Sequence, residues 1–201
     1  MTDQQQQRRR QARGERRIEL LLDAAAEVFG EVGYAAATTN AIASRAGSSP
    51  GSLYQFFPNK EEIARALAER YLRQLQEAHR TAFAAENASL PLTELIDSIL
   101  DPMIDFNLSN PGFQALFNTP DEVARKPLHI SEAVIDRLSA IFAARAPGLP
   151  RDQRIRTARL LVGVFRGALP LITSSSGPER SAVLGDLKRI FHDHLEPLIG
   201  A

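Results

Sequence analysis

The sequence predicts an all-α protein. Apolar residues recur at three- and four-residue steps through most of the 201 residues, and no segment alternates with a period of two. The intervals between these periodic stretches carry Gly, Pro, Ser and Asn turn chemistry. About nine helices fit this pattern, arranged as a small N-terminal three-helix domain and a larger C-terminal helical domain.

The first helix is marked by Ile18, Leu21, Leu22, Ala25, Val28, Phe29 and Val32, which form one apolar stripe. Thr38 and Thr39 are good N-cap residues for a short helix over 40–46, and Gly47 ends it because the chain must turn sharply there. Ser49 caps a second short helix with Pro50 at its first position, where the missing N–H costs nothing. Phe57-Pro58 stops it, with Leu53 and one of Phe56 and Phe57 facing inward. Asn59 with Glu62 opens a fourth helix over about 59–85 in the manner of a capping box. Its inward positions are Ile63, Leu67, Tyr71 (or Ala68), Leu75 and Ala78.

Residues 86–91 form a break. Further helices follow at about 92–108, with Pro102 expected to kink it, then 111–118, 128–145, 151–173 and 179–198. The breaks between them are Asn110-Pro111-Gly112, residues 119–127, Pro147-Gly148-Leu149-Pro150 and Ser174-Ser175-Ser176-Gly177-Pro178.

A helix, a short turn with glycine and a second short helix form the helix-turn-helix of DNA-binding proteins. The run also resembles the N-terminal domain of TetR/AcrR-type transcriptional regulators. The matching residues are Phe29-Gly30-Glu31-Val32-Gly33-Tyr34, Thr38-Thr39, Ile42-Ala43 with Ala46-Gly47, and the string from Gly51 to Glu61. The match covers roughly the first third of the chain and is specific as an ordered whole. One departure is Pro50, which stands where many members carry a polar or basic side chain, so one common base contact is absent.

Three parts are expected: a disordered basic tail over 1–14, read from its Gln- and Arg-rich composition, and, as the resemblance implies, a DNA-binding domain over 15–60 and a ligand-binding and dimerisation domain over 61–201. It implies a ligand-responsive regulator, most often a repressor. Such a protein binds a palindromic double-stranded operator as a homodimer and is released by a small-molecule effector. A helix-turn-helix scaffold acting as an interaction module or architectural protein is the competing class.

Charge fits a nucleic-acid partner once it is mapped. Lys and Arg number 24, as do Asp and Glu, for a formal net charge of zero. Residues 1–17, however, hold six arginines (Arg8, Arg9, Arg10, Arg13, Arg16 and Arg17) against Asp3 and Glu15, a local net of +4. Phosphate binding needs a local field, because counterion release depends on the phosphates contacted. Direct DNA contact and a merely solubilising end both remain open for this tail.

Candidate DNA contacts follow. Thr39 starts the first helix of the motif, where its hydroxyl and N–H suit either a phosphate or plain capping. Asn40 beside it is a candidate base or backbone contact. Tyr54 and Gln55 point away from the core and resemble the family's backbone-contacting pair, while Gln55 could instead read adenine. Gly51 and Ser52 permit close approach to the groove, and Ser48 and Ser49 are phosphate donors. Lys60 resembles the family's phosphate-binding lysine, and Arg45 reads either as a further contact or as a solvated charge, the latter preferred.

Other chemistry is poorly supported. There is no cysteine, so thiol nucleophiles and thiolate metal sites are absent. Asp97, Asp101 and Asp105 share a helical face opposite apolar Ile96, Ile99, Leu100, Met103 and Ile104, and read as a solvated stripe. His192 and His194 are two apart, a poor spacing for a metal pair on a helix, and His79 and His129 are isolated. With no nucleophile triad and no Gly-rich phosphate loop, neither an enzyme nor a cofactor or metal is expected. No secretory signal is read, and the longest apolar run, residues 160–172, falls short of the ~20 residues of a membrane span and holds Arg166. A cytoplasmic protein without membrane insertion is the expectation.

Phe106, Phe113 and Phe117 cluster around the Asn110-Pro111 break, either as core aromatics or as lining of the effector pocket that the resemblance implies. Gly163 and Gly167 would let another helix come close, and the last two long helices are the expected dimer interface. Arg166 between those glycines has three roles open to it: pairing across the dimer, meeting an acidic ligand, or snorkelling to solvent.

Overall fold

The computed structural model describes residues 3–117 and 130–200. Nine α-helices are seen among them: α1 (Asp3–Ala36), α2 (Thr39–Arg45), α3 (Pro50–Tyr54), α4 (Lys60–Ala82), α5 (Leu92–Ser109), α6 (Pro111–Phe117), α7 (Ile130–Arg145), α8 (Arg151–Ser174) and α9 (Gly177–Ile199). A 3-10 turn at Ala85–Ser89 occupies most of the expected break before α5. The all-α class and nearly every boundary follow the sequence pattern. The expected end at 118 and start at 128 lie outside the described residues, as does the break between them.

The chain divides into two compact units, Met1–Arg73 with Asn110–Leu128 and Gln74–Ser109 with His129–Ala201. This corrects the boundaries expected from sequence. The first unit extends well past residue 60, because α4 supplies Ile63, Ala64, Leu67, Ala68 and Tyr71 to its core, all fully buried. It also takes in α6, which packs on α1 through glycine. A Cβ on Gly112 would lie 2.6 Å from the Ala26 carbonyl oxygen, so only glycine permits this approach.

The basic N-terminus is also not a disordered tail as far as it is described: residues 3–14 continue α1. Gln, Arg and Ala are good helix formers, and the single Gly14 costs only about 1 kcal/mol. Farther along, α1 contains a non-helical Gly33 (φ 76°, ψ 161°), a backbone region open in practice to glycine alone. This kink sets Tyr34 edge-on to Phe29, with ring centroids 5.5 Å apart. Val32, expected on the inner stripe, is exposed instead.

Within the second unit, α5, α7, α8 and α9 enclose one apolar cluster that includes Leu95, Leu100, Leu138, Phe142, Ile172 and Phe191. Fully burying such side chains contributes about 1.5–3 kcal/mol each. Polar links fix the helix ends. Arg145 on α7 donates to the carbonyls of Ile199, Ala88 and Leu90, at 2.9, 3.1 and 2.5 Å. The acidic stripe on α5 is partly used as well, since Lys188 on α9 pairs with Asp97 at 2.8 Å and Asp101 at 2.6 Å. Burial disfavours the Lys188 charge, but the two carboxylates outweigh it and raise its pKa. The α5 helix runs on through Pro102 to Ser109.

Candidate DNA-binding surface

The helix-turn-helix is built by caps and one glycine. Thr38, rather than Thr39, caps α2, its hydroxyl accepting from the Ala41 N–H at 3.1 Å. At the other end Gly47 (φ 58°) donates to the Ser44 carbonyl at 3.1 Å, and Ser48 donates to Ala43 at 2.8 Å. These two bonds form a Schellman motif, which satisfies the last carbonyls of α2 and reverses the chain. Ser49 then caps α3, accepting from the Ser52 N–H at 3.2 Å, with Pro50 in the first turn. Asn59 accepts from the Glu62 N–H at 2.8 Å and opens α4, while the Glu62 carboxylate pairs with Arg65 rather than reaching back.

Burial sorts the residues of α3 into two faces. Leu53 is completely buried and Phe57 nearly so, whereas Tyr54 is 51% exposed and Gln55 is exposed beside it. The Tyr54 hydroxyl lies 3.0 Å from Thr39 Oγ1, so the start of α2 and the end of α3 meet at one exposed point. Ser49 and Gly51 are exposed on the same short helix, and a Cβ on Gly51 would meet nothing within 4 Å. Asn40 is exposed on the first turn of α2. Ser48 accepts from Arg17 Nη2 at 3.1 Å, which ties the basic part of α1 to the turn. The structure thus brings Thr39 together with Tyr54, and Ser48 together with an arginine that its own sequence position does not single out.

Two cations take structural roles. Lys60 Nζ donates to the carbonyls of Tyr34, Ala35 and Ala37 at 2.9, 3.2 and 3.0 Å and stands 4.6 Å from the Tyr34 ring centroid. All three ammonium protons are therefore occupied in closing the kinked end of α1, so phosphate binding by this side chain would require giving up those bonds. Arg45 is not a solitary solvated charge: it reaches Glu31 through both terminal nitrogens and Glu27 at 2.8 Å, lashing α2 to α1. Its hydrogen bonds lower the Glu31 pKa and raise its own.

The three phenylalanines do not fall into one unit. Phe106 is buried in the second, while Phe113 and Phe117 lie in the first, stacked at 5.6 Å and 22°. Phe113 meets Tyr71 edge-on at 5.6 Å, and the close seat of α6 on α1 explains why these two rings joined the N-terminal core. Burial drives the Tyr71 pKa up to about 12. Arg166 is exposed on α8, where Gly163 and Gly167 are also exposed with open space around them. Among the described residues no helix is long and apolar enough to cross a membrane.

A capped, glycine-turned helix pair with an exposed polar face defines a DNA-binding protein of the helix-turn-helix class. Comparison with known proteins narrows this. Residues 21–67 match the family described as "Bacterial regulatory proteins, tetR family", and residues 91–195 match "Tetracyclin repressor-like, C-terminal domain". The HTH-type transcriptional activator FasR of Mycolicibacterium smegmatis is 33% identical over 157 residues, 76% of this chain and 69% of that protein. The uncharacterized HTH-type transcriptional regulator YhgD of Bacillus subtilis is 34% identical over 107 residues, 53% of this chain. That match spans 54% of YhgD, about half its length. A TetR-like transcriptional regulator from Rhodococcus sp. RHA1 shares the fold at a TM-score of 0.73 and 20% identity, over 89% of this chain and 95% of that one. The chain belongs to the TetR family and is a DNA-binding transcriptional regulator, not an enzyme.

Proposed function

We propose that this chain is a ligand-responsive repressor that binds a palindromic operator as a homodimer and is released by a small-molecule effector. The observation that carries the DNA part is the exposed pairing of Tyr54 with Thr39 beside Gln55, Ser49 and Gly51. These uncharged groups suit phosphate and base edges, and the N-terminal turns of α2 and α4 add N–H groups and positive dipole ends. Residues 91–195 resemble a repressor's C-terminal domain, which supports the effector reading.

The dimer rests on a second observation. Leu160 and Leu171 on α8 and Ile190 on α9 are each more than half exposed, and Gly163 and Gly167 lie between the two leucines on the outer side of α8. A stripe of exposed leucine and glycine lets a partner helix approach closely. Two copies would present two recognition helices about one DNA turn apart, ~34–36 Å. Because α4 runs unbroken from Lys60 to Ala82, it is the lever by which an effector would change that separation. The effector does so only through unequal affinity for the two arrangements.

Fluorescence anisotropy on the DNA upstream of the protein's own coding sequence tests the proposal. Tyr54→Ala should weaken binding at least tenfold with the helical circular dichroism spectrum unchanged, and light scattering should give a dimer mass that Gly167→Leu shifts toward monomer. Retained affinity in the first variant removes the recognition surface, and a one-chain mass for the wild type removes the dimer. FasR is named an activator, so an activating role is the second reading. A reporter whose output falls on deletion of the regulator would support it.

A further inference from the structure

The second unit contains a cation whose charge the described residues leave unanswered. Arg137 sits on α7 with its Nη1 sealed from solvent and without a hydrogen-bond partner. No carboxylate among the described residues forms an ion pair with it, in contrast to Arg45, Arg70 and Lys188, each of which holds two acids. What lies next to it is aromatic. The guanidinium carbon stands 6.0 Å from the Phe83 ring centroid, and Phe83 packs against the apolar cluster of the unit. His79, only 4% exposed, meets the same ring edge-on at 5.4 Å.

Each neighbour fails as a counterion. A ring face offsets a small part of a cation's desolvation but carries no charge. His79 is neutral at physiological pH, since burial and then the nearby Arg137 charge press its pKa down to about 4. A guanidinium cannot escape the cost by losing its proton. Arg137 as a whole is half-buried, but its sealed Nη1 has lost water without gaining a partner, and an anion from elsewhere would supply one.

We propose that Arg137 anchors a small monoanionic ligand, a carboxylate on an apolar body, with His79 and Phe83 as adjoining walls. The inference rests on the effector reading above and names the effector's chemical class. The guanidinium fork matches a carboxylate with two parallel bonds. One cation balances one negative charge, whereas a dianionic phosphate would leave a second charge buried beside a neutral imidazole. The Phe83 ring and the neutral His79 beside it favour an apolar neighbour, so the rest of the ligand is hydrocarbon.

The test is thermal unfolding of the full-length protein with octanoate, using octan-1-ol and octanamide as neutral controls. Octanoate should raise the wild-type midpoint saturably, by about 5 °C or more at a hundredfold excess over half-saturation. The two neutral compounds should not. Arg137→Met should melt no lower than the wild type without ligand, because an unpaired charge has been removed, and should ignore octanoate, while Arg137→Lys should keep part of the response. A fall of several degrees for ligand-free Arg137→Met overturns the proposal, since the cation would then be paired within the fold. So does an equal shift by octanol, or no shift by any straight-chain carboxylate from acetate to dodecanoate. Anisotropy on the upstream DNA separates this inference from the effector reading. Stabilisation without DNA release keeps the Arg137 site and removes the effector role. Release that persists in Arg137→Met keeps the effector role and removes the Arg137 site.

Discussion

Replacing Gly112 by alanine tests the seat of α6 on α1, and the structure sets the size of the effect. The new Cβ would lie 2.6 Å from the Ala26 carbonyl oxygen, 2.9 Å from Ala26 Cα and 2.7 Å from the Tyr71 hydroxyl. The tyrosine oxygen is the tip of a side chain and could yield, but the Ala26 atoms are backbone in the middle of a helix. Overpacking of this kind costs about 1–3 kcal/mol. Alanine's better helix propensity gives back up to about 1 kcal/mol. A net loss of about 1–2 kcal/mol lowers the midpoint of a chain this size by about 2–8 °C. Thermal unfolding followed by circular dichroism measures it, with Gly14→Ala as the control. A Cβ on Gly14 meets nothing within 4 Å, so that variant should melt at or slightly above the wild type. In a Tyr71→Phe background the Gly112→Ala penalty should shrink without vanishing, because the backbone clash stays. A Gly112→Ala midpoint within 1 °C of wild type would falsify the close approach of these helices.

Two further outcomes are expected. Lys60→Met removes the donor to three carbonyls at the kinked end of α1 and should cost about 2 kcal/mol of stability in urea unfolding; an unchanged midpoint together with a salt slope on DNA reduced by about one unit would instead make Lys60 a phosphate ligand. His79 stays neutral in the folded chain down to about pH 4, while the unfolded chain takes up a proton near 6.5. Its contribution is therefore complete above pH 6.5 and declines as pH falls toward 4, by up to about 3 kcal/mol. His79→Gln should flatten the stability profile across that window, and an equally steep profile in the variant contradicts the buried neutral state.

What could be read from the sequence was whatever the chain encodes locally. The caps at Thr38, Ser49 and Asn59 and the turn at Gly47 each involve residues within five positions of one another, so the helix-turn-helix was legible residue by residue. The partners of Lys60 lie 23 to 26 positions away, and those of Arg45 lie 14 and 18 away. Nothing in a helical pattern announces such pairs, so the structural partners of both cations were hidden from the sequence. Asp97 and Asp101 looked like a solvated stripe because Lys188, far along the chain, completes them. The assignment of α6 to the first unit was hidden for another reason: a glycine after proline reads as a turn, whereas Gly112 is there to admit a backbone. The helical N-terminus was missed because a run of charge suggested solvation more strongly than Gln and Arg suggested helix.

The commitment of Arg45 and Lys60 has a consequence for how this protein would hold DNA. From Thr39 to Lys60 the chain contains no acid and no other cation. The proposed recognition face is thus almost without usable charge, and the nearest arginines run along α1, with Arg17 fastened to Ser48 and Arg13 and Arg9 one and two turns back on the same side of the helix. Such a layout divides labour between two kinds of group. Under the proposed DNA reading, neutral hydroxyls and amides would discriminate among sequences, and a preordered arginine row would supply grip that is indifferent to sequence. Ionic strength acts on the second alone. As salt rises, the hold on every DNA weakens together, while the preference for one site over another stays nearly constant.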